Sequence, residues 1–118
     1  MTDAHVDPRG LLTLGFALYA DTRLPGVRMW HANRPGGAEV WLQDPDGSAA
    51  SAATGEAAHE YGARSLWQEV ERVHDEYAAL GSPESRDFGL TVTARRHQTW
   101  LHHPERIIEP APVREAAR

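Results

Sequence analysis

The stretch Val27–Gly47, VRMWHANRPGGAEVWLQDPDG, decides how this chain folds. Val27, Met29 and His31 alternate with Arg28 and Trp30, the period of two that turns successive side chains to opposite faces of a strand. Asn33–Arg34–Pro35–Gly36–Gly37 supplies loop residues. From Ala38 to Gln43 the alternation resumes, with Val40 and Leu42 set against Glu39 and Trp41. Asp44–Pro45–Asp46–Gly47 then reads as a tight turn. Two alternating runs joined by a short loop predict an antiparallel hairpin, and the second turn predicts that the meander continues.

Working outward, Ser48–Ala58 is alanine-rich. Alanine favours helix, whereas the preceding turn favours a third strand, with Thr54–Gly55 turning into a fourth that ends near Tyr61. Ser65–Leu80 is the clearest element. Leu66, Val70, Val73, Tyr77 and Leu80 recur at three- and four-residue spacing, which predicts an amphipathic helix flanked by Trp67 and His74. Ser65 with Gln68 reads as a capping box, Arg72 with Glu76 as a surface ion pair, and Gly81 followed by Pro83 as the stop. Phe88–Ala94 and Gln98–His102, with Arg95–Arg96–His97 as the turn, predict a second hairpin around Trp100. On the N-terminal side, Leu11, Leu14, Leu18, Phe16 and Tyr19 predict a shorter helix, in which Gly15 is unfavourable. Pro25–Gly26 ends it.

The expected fold is therefore α+β: an antiparallel sheet of about five to six strands, a long helix across one face and a shorter N-terminal helix. A length of 118 residues suits one domain, expected over residues 10–104, with residues 1–9 and 105–118 as flexible ends. Hydrophobic residues at 41% and charged residues at 25% are ordinary for a globular chain. Trp67, Tyr77, Phe88 and Trp100 are expected to form the core between helix and hairpin.

Composition excludes several function classes. The net charge of −5 without a basic block argues against nucleic-acid binding. The absence of cysteine removes disulfides, thiolate metal sites and cysteine nucleophiles. The apolar run Leu11–Ala20 is too short to span a bilayer, and Asp3 and Asp7 offset Arg9, which does not suit a secretory signal; no membrane association and a cytoplasmic location are expected. No glycine-rich loop joins a strand to a helix, so no phosphate or dinucleotide site is predicted. None of the seven histidines has metal-ligand spacing, and His102 and His103 are adjacent and face opposite ways, so no metal is predicted. The serines sit at a cap or in turns, with no nucleophile elbow. Glu69, Glu71, Asp75 and Glu76 fall mostly on the wet side of the long helix. Two features remain. His97 and His102 could converge across the second hairpin, without an evident third partner, and serve a small hydrolase or isomerase. Trp30 and Trp41, on the polar-looking faces of their strands, are the candidate partner surface, because tryptophan is enriched at interfaces.

The clearest segments also carry a resemblance. Gly62–Ala63–Arg64–Ser65–Leu66–Trp67–Gln68–Glu69–Val70–Glu71 is followed by Gly81–Ser82–Pro83, Arg86, Phe88–Gly89–Leu90–Thr91–Val92–Thr93, Gln98, Trp100–Leu101 and Pro104. Upstream stand Trp41–Leu42 and Asp44–Pro45–Asp46–Gly47–Ser48. Together these resemble the C-terminal region of proteins similar to protein-L-isoaspartate O-methyltransferase from GC-rich bacteria, some of which modify ribosomally made peptides. The match runs from about Leu11 to Pro104. It departs from the family at Ala49, where an aromatic is usual, near Tyr77, where the family is more aromatic, at Arg96–His97, where a glycine is frequent, and at His102, where an acid is usual. In that family S-adenosylmethionine binding and methyl transfer belong to an N-terminal domain whose motifs this chain lacks. The resemblance therefore implies no catalytic residue and no cofactor here. It implies an accessory module with a protein or peptide partner, either a separate methyltransferase or its substrate. The alternatives are a truncated fragment of such an enzyme, or the small enzyme using His97 and His102.

Overall fold

A computed structural model of the protein describes residues 6–94 and 97–110. The Arg95–Arg96 turn and the outer parts of both ends lie outside the described residues. A short 3-10 turn, Pro8–Leu11, leads into helix α1 (Leu14–Arg23). The meander follows as β1 (Arg28–Arg34), β2 (Gly37–Gln43), β3 (Ala49–Ala53) and β4 (His59–Tyr61). Helix α2 (Leu66–Ala79), a 3-10 turn at Ser85–Asp87, and the strands β5 (Phe88–Val92) and β6 (His97–Leu101) complete the order.

The architecture is α+β, but its strands form two sheets. One is four-stranded and antiparallel in the order β1-β2-β3-β4; the other is the β5-β6 hairpin alone. The single sheet of five to six strands expected from sequence is therefore corrected. The second hairpin meets helix α1, where the Thr22 hydroxyl donates to Thr99 Oγ1 at 3.1 Å, and among the described residues it pairs with no edge of the larger sheet. Alternation along a strand defines its two faces but not which edge it joins.

The alanine-rich stretch resolves as strand. Ala50 and Ala52 pair with Leu42 and Val40 and are buried, so tertiary burial outweighs alanine's helix propensity. Helix α2 lays Leu66, Trp67, Val70, Val73 and Tyr77 into the core above the inner face of this sheet. Its C-terminus closes as expected from Gly81: that residue takes φ +89°, and the Ser82 and Gly81 amides donate to the Tyr77 and Ala78 carbonyls at 3.1 and 3.0 Å. Its N-terminus does not form the expected capping box. The Ser65 side chain makes no cap hydrogen bond. Glu69 in the first turn is instead held by Arg64 at 2.7 and 2.9 Å, and the Arg64 amide donates to Ser48 Oγ.

Two expectations about side-chain facing also change. In α1 the core is met by Gly15, Phe16 and Tyr19, while Leu14 is 66% exposed and Leu18 is also outward. Gly15 is a packing residue: a Cβ there would collide with the Pro83 carbonyl oxygen and the Tyr77 hydroxyl. In α2 the acids are not mainly solvated. Glu71 is buried and accepts the Val6 amide at 2.8 Å. Glu76 is gripped by Arg23 through Nε and a terminal nitrogen at 2.9 and 3.0 Å, and the anticipated Arg72 pairing is not made. Residues 6–9, expected to be loose, are partly packed, with Val6 and Pro8 buried. Beyond Pro104 the chain folds back: the Ile108 amide donates to the Thr99 carbonyl and the Arg23 guanidinium to that of Glu109.

Candidate functional site

Register places the meander's side chains. Opposed residues in an antiparallel pair share a face. Met29 pairs with Leu42 and His31 with Val40, and this side is covered by the helices. Trp30 stands directly opposite Trp41, which pairs with Ser51, which pairs with His59, so these four form a row across the other face. A parallel row runs Arg28, Gln43, Ala49, Tyr61. Trp30 is 46% and Trp41 38% exposed, and Tyr61 and His59 are exposed as well. Between them the outward residues of β3 are Ala49, Ser51 and Ala53. The result is a trough floored by small side chains, with the tryptophans on one bank and His59 and Tyr61 on the other. Two strand spacings set its width at about 10 Å.

The alanine composition that obscures β3 in the sequence thus serves two purposes. Inward alanines allow α2 to approach the sheet, and outward ones keep the trough low. The two tryptophans are the part of this surface that sequence reasoning identifies. His59 and Tyr61 are missed, because β4 is only three residues long and carries too little alternation to define a face. Asp44, buried below the β2–β3 turn, accepts the Asp46 and Ser48 amides at 3.0 and 2.8 Å and fixes the end of the trough.

The other candidate residues do not converge. His97 opens β6 and His102 lies just past its end, so the two stand at opposite ends of one strand and not on facing strands. Five residues of extended chain separate them by about 16 Å. His102 adopts φ +67°, its amide donates to the Asp87 carbonyl and its ring meets Arg106. Trp100 lies outside the core between helix and hairpin: it covers Gly89 on the hairpin's own surface and donates from Nε1 to Thr91 Oγ1 at 3.1 Å. Trp67 and Tyr77 do occupy the core, with Phe88 partly buried against it. Among the described residues no group of three histidine or acidic side chains is placed to hold a metal ion, and no helix is long and apolar enough to cross a membrane.

The strongest local electrostatics are structural. Beside the Arg9 guanidinium and amide, the Asp7 carboxyl is lowered to about 2. Burial and then the Glu76 carboxylate push the Tyr19 phenol up. Tyr19, Arg23 and Glu76 together line a recess of about 330 Å³ closed by Ile107, Ile108 and Glu109. Since Arg23 and Tyr19 already occupy both Glu76 oxygens, this recess is a clamp between α1, α2 and the C-terminal segment. No protein family, no curated protein and no solved structure matches the chain.

Proposed function

We propose that this chain is a non-catalytic binding module that presents a peptide or protein segment to a separate methyltransferase. The observation that carries the binding half of this reading is the in-register Trp30–Trp41 pair on the open face of the four-stranded sheet. Large aromatics left exposed on a face with small neighbours offer contact area at low entropic cost. The resemblance of residues 11–104 to the C-terminal region of isoaspartyl-methyltransferase-like proteins carries the other half, and Asp3 and Asp7 offsetting Arg9 ahead of the Leu11–Ala20 run support a cytoplasmic location. A random peptide-display library panned against the chain tests the binding half. Sequences enriched on the wild type and lost on the Trp30→Ala/Trp41→Ala variant are expected; equal enrichment on both removes the trough from the account. Calorimetric titration with S-adenosylmethionine tests the non-catalytic half, and saturable binding would overturn it.

A second reading has an observation of its own. Leu14 and Leu18 on α1 and Leu90 and Val92 on β5 are exposed aliphatics, and α1 is tied through the Thr22–Thr99 bond to β6, the hairpin partner of β5. Such a surface suits the contact with a catalytic domain from which this chain is separated, as in a fragment of the longer enzyme. A monodisperse monomer that binds no hydrophobic dye would count against it.

A further inference from the structure

Strand β1 is the outer strand of its sheet, paired on one side with β2 and unpaired on the other among the described residues. It is seven residues long and contains no proline. Such an edge presents a row of free amides and carbonyls to any extended chain. Three further observations define what fits there.

First, the edge has a socket on its inner side. Ala17, Ala20, Asp21 and Leu24 of the α1 region stand across from Val27 and Met29, leaving an apolar cleft of about 180 Å³. An added strand would direct every second side chain toward that cleft. Second, the outward side of the edge is cationic, in a chain whose net charge is −5. Arg34 is neutralised by Glu39 on β2, but Arg28 has no acidic partner among the described residues. His31 adds a third basic residue, on the cleft side of the same strand, and β1 has no acid. Third, a second copy of the chain is disfavoured there. The antiparallel β1–β1 register that uses all seven residues is centred on His31 and sets Arg28 opposite the Arg34 of the other copy. A second copy therefore brings Arg28 no free carboxylate: its β1 has no acid, and Glu39 is already held by Arg34.

We infer that β1 accepts an extended acidic peptide as a fifth strand, with alternate apolar side chains entering the Ala17–Ala20–Met29 cleft and the intervening carboxylates facing Arg28 beside Trp30. The inference rests on the peptide-binding reading above and gives it a strand, a charge and a side-chain pattern. Main-chain pairing supplies affinity and the alternating pockets supply selection, as in other strand-addition complexes.

The test uses the full chain and three fluorescent eight-residue peptides. One alternates valine with glutamate, one alternates valine with lysine, and one repeats the glutamate sequence with N-methyl groups on alternate backbone nitrogens. The glutamate peptide is expected to bind, to weaken at least tenfold on N-methylation in one of the two frames, to weaken at least tenfold in Arg28→Glu, and to protect β1 amides from exchange. Arg28 is exposed and unpaired among the described residues, so that variant keeps the fold. Equal binding of the lysine peptide, or indifference to both N-methyl frames, overturns the inference. So does a concentration-dependent dimer strengthened by Arg28→Glu, which would assign the edge to a second copy. If none of the three peptides binds while display selection still yields tryptophan-dependent ligands, strand addition is refuted and the binding reading stands. If display selection also fails, both are refuted.

Discussion

Replacing Gly15 by alanine should destabilise this protein, against the usual rule for helices. In an exposed helix interior the change stabilises by up to about 1 kcal/mol. At Gly15, in the first turn of α1, the new methyl would meet the Pro83 carbonyl oxygen and the Tyr77 hydroxyl, which are themselves hydrogen-bonded to each other. One of these is backbone, just beyond the Gly81 cap, and cannot rotate away. Overpacking of this kind costs about 1–3 kcal/mol, and disturbing the Tyr77–Pro83 bond costs about 1 kcal/mol more. After the propensity gain, a net loss of about 1–3 kcal/mol remains. Urea denaturation should show a lower midpoint with unchanged slope, and thermal melting a fall of roughly 3–6 °C per kcal/mol. In a Tyr77→Phe background the alanine should be less damaging, because one colliding oxygen is gone; that coupling is the signature of the contact. If Gly15→Ala equals or exceeds the wild type in stability, α1 does not cross the Tyr77–Pro83 corner this closely.

The remaining predictions concern other parts of the framework. Trp67 is fully buried and its indole N–H has no partner among the described residues. Trp67→Phe, which deletes that donor, should therefore cost under about 2 kcal/mol, while Trp67→Ala should cost about 3–5 kcal/mol by urea titration. Glu76→Gln removes the charge that Arg23 and Tyr19 share; unfolding free energy should fall by about 1 kcal/mol, given the partial exposure of the pair. In the same variant the Tyr19 phenol should ionise at lower pH by ultraviolet titration but stay above its ordinary range, because burial is the larger cause of its shift. The Asp7 carboxyl, lowered to about 2 by Arg9, contributes stability present above the ordinary aspartate range and lost as pH falls toward 2. Arg9→Ala should raise its carbon-13 NMR midpoint but leave it below the ordinary range, because the residue-9 amide and the Thr54 hydroxyl still donate to the carboxylate.

What the sequence made legible was local. Helix α2 was readable because Leu66, Val70, Val73 and Tyr77 keep one period over about three turns and Gly81 ends it. Strands β1 and β2 were readable because alternation and a Pro–Gly turn agree. The meander through Ala49–Ala53 was readable only from its turns, since alanine carries no face. What escaped depends on contacts distant in sequence. The separation of the second hairpin from the sheet is set by the Thr22–Thr99 docking, 77 residues apart. The loss of the Ser65 cap follows from Arg64 being drawn to Glu69 and Ser48, and the burial of Glu71 from the amide of Val6. The candidate surface was half legible: alternation set Trp30 and Trp41 on the polar faces, but only register set them side by side and brought His59 and Tyr61 opposite. His97 and His102 are not brought together, because one opens β6 and the other follows its end.

The measurement that bears most directly on the central claim is peptide-display selection on the wild-type chain in parallel with Trp30→Ala/Trp41→Ala, after circular dichroism has shown that the variant melts like the parent. Both tryptophans are exposed, so their removal should leave the fold intact. The account predicts a family of enriched peptides on the wild type that disappears on the variant. Enrichment that survives the double substitution would contradict it, and would mean that any binding by this chain is done by some surface other than the open face of its sheet.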